Sequence, residues 1–284
     1  MIDLHVHSTA SDGTLTPTEI LERASRLGIT ALAITDHDTI DGSIEAIESG
    51  IPKGLDFLTG IEISANPPEV YPCTGSFHIL GYNIDLKSEI LNTTLETLQD
   101  ARFNRNPKIL ERLAGFGMHI TEEEVEIQTG GGQTGRPHIA EVMIKKGYAK
   151  NINDAFDNYL GKGMPAYVDK YRIETDKAIE LIKSAGGVPV FAHPGLVEAT
   201  QGDPKEKLIA TMAEMGLTGI EVFYPNHSKE ETDFYINLAK KYNLIITGGT
   251  DFHGSLKPDT ELGSGKGDLC IPYSIYESVM KVST

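Results

Sequence analysis

Cysteine is scarce in this chain of 284 residues: only Cys73 and Cys270 occur, far apart and without a metal-type Cys spacing. That leaves no disulfide framework and no thiolate zinc motif, and it points to a reducing, cytoplasmic setting. Long apolar runs are also missing. No stretch approaches a membrane span, and the N-terminus carries no basic region followed by an apolar one, so no membrane partner is expected. Positive charge is in short supply, with 25 Lys and Arg against 41 Asp and Glu and a formal charge of −16. Such a balance opposes broad, sequence-independent binding to long nucleic acid, which needs a basic surface. It leaves room for a small phosphorylated substrate, because acids that ligate cations reverse the local field.

What is present is an alternation of strand and helix signals. Ile2 to Val6 alternates in apolarity, and Thr16-Pro17-Thr18-Glu19 then opens a helix. Thr16 fits the N-cap, Pro17 the first helical position and Glu19 the capping-box acid. Ile20, Leu21, Ala24 and Leu27 follow at helical spacing, and Gly28 ends the run. Further strands are predicted at 31–35, 57–63, 77–84, 188–192, 220–223 and 244–247, and helices near 43–48, 174–184, 205–215, 229–242 and 274–281. About seven strands separated by helices argue for a parallel sheet closed into a barrel. Residues 99–165 break the rhythm with Arg102, Arg105, Lys108 and Arg112, short helical patterns and the loop Gly130-Gly131-Gly132. They read as a helical insert capping the mouth of a barrel made from residues 1–98 and 166–284. The length suits one large domain carrying such an insert, with core enough to fold without staples.

The chemistry is carried by histidines and acids at strand ends. His5 and His7, spaced i, i+2 in Asp3-Leu4-His5-Val6-His7, project from one face of a strand. His37, Glu62, His78, His193, Asp251 and His253 each follow a short apolar run, and Asp12 sits in an equivalent place. Imidazole and carboxylate are the usual ligands of zinc, manganese and iron. One histidine at a strand end is usually structural. Nine ligand-type side chains at the end where barrel enzymes place their chemistry point to a polynuclear metal site.

These motifs resemble those of a known family. His5-Val6-His7, Ser11-Asp12-Gly13 and Thr35-Asp36-His37-Asp38 are similar to the opening motifs of the PHP (polymerase and histidinol phosphatase) family. Gly60-Ile61-Glu62, His78, Ala192-His193-Pro194 and Thr250-Asp251-Phe252-His253 match its later motifs in order, over nearly the whole chain. The resemblance implies a distorted (β/α)7 barrel with a small helical insert, and three divalent metal ions. His5, His7, Glu62 and Asp251 would hold the first, Asp12, His37 and His253 the second, and His78, His193 and a bridging Glu62 the third. Asp12 stands where some relatives have histidine; an oxygen ligand there leans towards manganese or iron, with zinc still open.

Bridged cations suit phosphate ester hydrolysis. They lower the pKa of a shared water, neutralise the non-bridging oxygens and steady the leaving oxygen. The expected nucleophile is metal-bound hydroxide, with Asp251, His193 and Glu62 acting through the metals. Asp36 and Asp38 flank His37 and read either as acceptors that orient imidazoles or as turn caps. No general acid is legible.

Substrate contacts are expected from the insert. Gly135-Arg136-Pro137-His138 precedes a helical run, and Arg136 offers a two-pronged grip on phosphate beside His138. A similar element recurs in PHP proteins that carry this insert, among them nucleoside 3′,5′-bisphosphate phosphatases and RNA 5′-end exonucleases. Arg102, Arg105 and Lys108 lie one turn apart on a shared face, either solvated or turned towards the metals. His227, in Tyr224-Pro225-Asn226-His227, follows the sixth strand at the ligand-contacting end. Tyr82 reads as packing and His119 as surface. The expected activity is release of the 3′-phosphate from a nucleoside 3′,5′-bisphosphate. The alternatives are 5′-to-3′ exoribonuclease action on short 5′-phosphorylated RNA, histidinol-phosphate hydrolysis, or a non-catalytic metal-binding module.

Overall fold

Apolar strands buried on both faces need helices on one side and a closed interior on the other, and β1 (Ile2–Val6), buried along its whole length, starts that pattern. The computed structural model describes residues 1–129, 132–199 and 205–283. After β1 come α1 (Pro17–Leu27), β2 (Ala31–Ile34), α2 (Asp41–Ser49), β3 (Asp56–Asn66), β4 (Cys73–Gly75) and β5 (His78–Tyr82). Five helices follow: α3 (Glu89–Phe103), α4 (Asn106–Ala114), α5 (Glu122–Thr129), α6 (Arg136–Lys145) and α7 (Ile152–Ala155). Then come β6 (Ile173–Glu174), α8 (Thr175–Ser184), β7 (Val188–Phe191), β8 (Val197–Ala199), α9 (Lys205–Glu214), β9 (Gly219–Phe223), α10 (Lys229–Lys241), β10 (Ile245–Gly248) and α11 (Ser274–Val282). Helix α1 has the expected reciprocal capping box between Thr16 and Glu19 and ends at Gly28 with φ 69°. Among the described residues no helix is long and apolar enough to cross a membrane.

Seven strands form one curled sheet in the order β1-β2-β3-β5-β7-β9-β10, with β6 added on β3. The distorted barrel is as expected, but the sheet is not all parallel. Strand β5 runs antiparallel to both β3 and β7. The reason lies in the connection: residues 67–77 hold only the short β4 and no crossover helix, and a parallel return would need one. The reversal brings His78 to the site from the start of its strand, opposite Ser64 in the register.

A β-bulge sets the aim of the first two histidines. Three steps along β1, from Asp3 to Val6, are matched by two along β2, from Leu32 to Ile34. Asp3 and Val6 therefore share a face, and His5 and His7 fall on the other, which faces the barrel interior. Below them Leu4, Ala33, Leu58, Leu80 and Val190 fill that interior as one apolar cluster. Helices α4 to α6 pack around a separate cluster that includes Ile109, Leu113, Val125, Ile139 and Met143.

The sheet closes through the segment after β10. Asp251 N–H donates to the His5 carbonyl at 2.8 Å, and His7 N–H donates to the Phe252 carbonyl at 2.9 Å. Asp3 locks the seam: its buried carboxylate accepts from Thr250 N–H at 2.9 Å, Thr250 Oγ1 at 2.6 Å and Gly263 N–H at 2.8 Å. Burial pushes the Asp3 carboxyl up to about 6 despite these donors. At Gly249 the chain passes so near β1 that a Cβ would lie 2.3 Å from His5 Cβ and 2.4 Å from its backbone nitrogen. A backbone atom cannot swing aside. Gly249→Ala is expected to destabilise the fold by ~1–3 kcal/mol or more, read as a lower urea midpoint at unchanged slope.

Candidate metal centre

Strand ends and the loops just beyond them deliver nine donors to one place. Glu62 lies at the middle of it, fully buried on β3. Its Oε1 is 2.8 Å from His78 Nδ1 and 2.8 Å from His193 Nε2. Its Oε2 is 2.9 Å from His37 Nδ1, 3.2 Å from His7 Nε2 and 3.5 Å from His5 Nε2. Asp251 Oδ1 stands 3.3 Å from His7 Nε2, and Asp12 Oδ1 stands 3.4 Å from His253 Nε2. The donors fall into overlapping groups that could each hold an ion: His7, Asp12, His37 and His253; His5, His7 and Asp251; His5, Glu62 and His193; His37, Glu62 and His78.

The unmet bonding here suits cations. His5 Nε2, His7 Nε2, His37 Nδ1, His193 Nδ1 and Glu62 Oε2 are buried and, among the described residues, have no partner in hydrogen-bonding geometry, even where two of them lie close together. Each such atom costs about 1–3 kcal/mol, and so many in one spot demand a common partner. Divalent ions would satisfy these lone pairs together.

Protonation follows from the same crowding. Burial pushes the Glu62 carboxyl up, but His78, His37 and His5 outweigh it and hold it well below the ordinary range. For Asp251 burial is likewise overcome, here by Lys257 and His253. Burial pulls His78 and His253 down to about 4, which keeps them neutral, the form that donates a lone pair. Burial also opposes charge on His7, yet the nearby Asp251 and Glu62 carboxylates push it up to about 9.

The supporting partners were largely missed in the sequence. Glu221, fully buried in β9, accepts from His5 Nδ1 at 2.8 Å and from the His193 N–H at 2.6 Å. One carboxylate thus fixes the tautomer of His5 and pins the backbone of His193, which sits in the left-handed region at φ 27°. Tyr224 OH donates to Asp251 Oδ2 at 3.0 Å, and Lys257 Nζ does so at 2.5 Å. A charged residue inside the short apolar strand Gly219–Phe223 was the signal available for Glu221.

Several expected roles change. Neither Asp36 nor Asp38 holds an imidazole. Asp36 accepts from Ser8 N–H at 2.7 Å and from the Ser8 and Ser11 hydroxyls at 2.6 Å each. Asp38, turned by φ 55°, accepts from Ser64 N–H at 2.8 Å, Arg102 Nη2 at 2.7 Å and Lys170 Nζ at 2.6 Å. His227 has both ring nitrogens on backbone: Nε2 accepts from Gly195 N–H at 3.1 Å and Nδ1 donates to the Val222 carbonyl at 2.9 Å. That leaves none for substrate. Lys108 is exposed, because α3 ends at Phe103 and Pro107 opens a new helix, which breaks the shared face. His138 caps α6 by accepting from Gly135 N–H at 3.0 Å. Gly130 and Gly131 of the glycine loop lie outside the described residues.

Arg102 and Arg105 are buried and line a cavity of about 480 Å3 together with Arg136, Lys170, Arg172 and Lys257. Asp12, His37, His78 and His253 line the same cavity. Among the described residues Arg105 bonds only to its neighbour Asn106 Oδ1, at 2.8 and 3.2 Å. Burial, followed by the like charges of Arg102, Arg136 and Arg172, holds its pKa well below the ordinary guanidinium value. Burial and Arg102 likewise pull Lys170 down to about 7. A neighbouring cavity of about 440 Å3, lined by Gln99, Arg102, Phe103 and Gln133 among others, touches none of the nine donors; the cavity beside the donors is the one with the chemistry.

The sequence profile of the PHP domain matches residues 3–160. The chain belongs to the PHP domain family. A 5′-3′ exoribonuclease of Haemophilus influenzae is 35% identical over 88% of this chain and 89% of its own length. A 3′,5′-nucleoside bisphosphate phosphatase of Chromobacterium violaceum is 31% identical over 92% and 90%. Among solved structures, a protein of Bifidobacterium adolescentis assigned as a metal-dependent phosphoesterase superposes with a TM-score of 0.86 at 31% identity, covering 98% of this chain and 95% of the other. This PHP protein is a metal-dependent hydrolase of phosphate esters.

Two outcomes follow for the PHP centre. Glu221→Gln should weaken retention of divalent ions about 10–100-fold with the fold intact, seen by elemental analysis after dialysis alongside circular dichroism. Because His7 must give up a proton held to about 9, ion binding should tighten as pH rises through the neutral range, with proton uptake by the buffer in calorimetry.

Proposed function

We propose that the chain removes the 3′-phosphate from nucleoside 3′,5′-bisphosphates, yielding a nucleoside 5′-monophosphate and inorganic phosphate. The observation that supports this reading is the buried cation cluster beside the metal donors. Arg105 sits among Arg102, Arg136 and Arg172 with no carboxylate bonded to it among the described residues, so the four repel one another until an anion arrives. A substrate with two phosphates suits a cavity with two kinds of anion site.

In this reading His5, His7, Asp12, His37, Glu62, His78, His193, Asp251 and His253 hold three divalent ions, manganese, iron or zinc. When bound, such ions supply Lewis acidity and ionise a coordinated water near neutral pH. Lys257, on Asp251, adds positive charge beside the scissile phosphate. Arg105, Arg136, Lys170 and Arg172 bind the 5′-phosphate, and Arg102 with Asp38 fixes Lys170 in place. The bond from phosphorus to the ribose 3′ oxygen breaks as one to the water oxygen forms. Residues 99–165 act as a cap on a barrel of residues 1–98 and 166–284, contributing Arg102, Arg105 and Arg136. The two unpaired cysteines suit a cytoplasmic enzyme.

The relative named as a 5′-3′ exoribonuclease favours a second use of the same site. A short RNA with a 5′-phosphate would seat its first nucleotide identically and present its 3′ linkage to the ions.

Phosphate release by the manganese-loaded protein tests the reading, with a nucleoside 3′,5′-bisphosphate compared against the 3′-monophosphate. The bisphosphate should be preferred. Arg105→Ala should raise its KM about 10–100-fold while leaving the 3′-monophosphate nearly unaffected. Equal kcat/KM for the two compounds in the unsubstituted protein would refute the assignment.

A further inference from the structure

The metal-side cavity does not end at its arginines. Ser76, Arg136, Phe156 and Arg172 line both that cavity and a second one of about 310 Å3, which continues to Lys162 and Cys73. Both guanidinium groups on the shared wall are held in place. Arg136 donates to the Leu160 carbonyl at 2.9 Å and lies over the Phe156 and Tyr167 rings, 5.5 and 5.3 Å from their centroids. Arg172 is anchored by Asp169 at 2.5 Å. Lys162, past that wall, has no carboxylate partner among the described residues, although acids outnumber bases 41 to 25. Its charge is felt at the half-buried Cys73 thiol, which it pulls down against the effect of burial.

We infer that this second cavity is an anion subsite for a further phosphoryl group joined to the one held by Arg136 and Arg172. Its ligand class is a nucleotide with a 5′-diphosphate or longer 5′ end. Charge decides between this and a nucleobase. Three cations line the cavity against Asp169, and that acid is already spent on Arg172. The Phe156 and Tyr167 rings already carry Arg136, so they are not open stacking platforms for a base. A guanidinium between two cavities can donate to two linked phosphates at once, using separate N–H groups. The site therefore reads the 5′ end without requiring it to be a monophosphate.

The identification of the first phosphoryl rests on the proposed function, and the test separates the two. The manganese-loaded chain is given a nucleoside 3′,5′-bisphosphate and the matching 3′-phosphate 5′-diphosphate. The second should be turned over with a KM no higher than the first. Lys162→Ala should raise the KM of the diphosphate about fivefold, and Lys162→Arg should restore it, while the bisphosphate shifts less than about twofold. Rejection of the diphosphate by the unsubstituted chain, or equal effects of Lys162→Ala on both compounds, would overturn the subsite. If neither compound is hydrolysed, the proposed function fails and calorimetry decides the subsite alone. Inorganic pyrophosphate should then bind more tightly than inorganic phosphate, and lose that advantage in Lys162→Ala; an unchanged advantage would overturn it.

Discussion

One buried carboxylate governs this molecule. Glu62 lies within 3.5 Å of nitrogens from five histidines that arrive from separate parts of the chain. It can do so because β3 is flanked by β2 on one side and the reversed β5 on the other. Its backbone is pinned as well: Glu62 N–H donates to the Asp36 carbonyl at 3.1 Å, and the Glu62 carbonyl accepts from Asp38 N–H at 3.0 Å. The bulge in β1, the reversal of β5 and the seam locked by Asp3 all bring donors to this side chain. A centre shared through one carboxylate is cooperative: a shift of Glu62 disturbs every group of donors that includes it.

The chain folds with two electrostatic imbalances side by side. Orphaned lone pairs of imidazole and carboxylate call for cations. The neighbouring arginines, buried with too few acids, call for an anion. Asp38 stands between the two, beside the His37 donor in sequence and bonded to Arg102 and Lys170. Each imbalance weakens the free protein and strengthens binding, since a preformed site has no reorganisation to undergo when its ligand arrives. This also reconciles a net charge of −16 with the polyanionic substrate proposed above. The surface is acidic, but the positive charge that matters is concentrated inside.

Much of this was legible in the residues. Donor pairs such as His5 and His7 advertise themselves because strand geometry fixes their direction, and the Thr16 capping box announced α1 accurately. Strand direction was not legible, because alternation of apolar runs looks the same whichever way a strand points. The face shared by Arg102, Arg105 and Lys108 assumed one continuous helix, and Pro107 was the overlooked warning. His227 looked available because its backbone partners, Gly195 and Val222, depend on tertiary packing. Lys170, Arg172 and Lys257 carry no motif, and only folding brings them to the cavity. Glu221 and Asp3 were readable in principle, since an acid in the middle of a short buried strand must have a partner.

The most direct test of the shared carboxylate is the metal content of purified Glu62→Gln beside the unsubstituted chain, measured by elemental analysis after gel filtration. Several divalent ions per chain should be found in the unsubstituted protein, and Glu62→Gln should lose most of them together while remaining folded. A folded Glu62→Gln chain that keeps its full complement of ions would contradict the account.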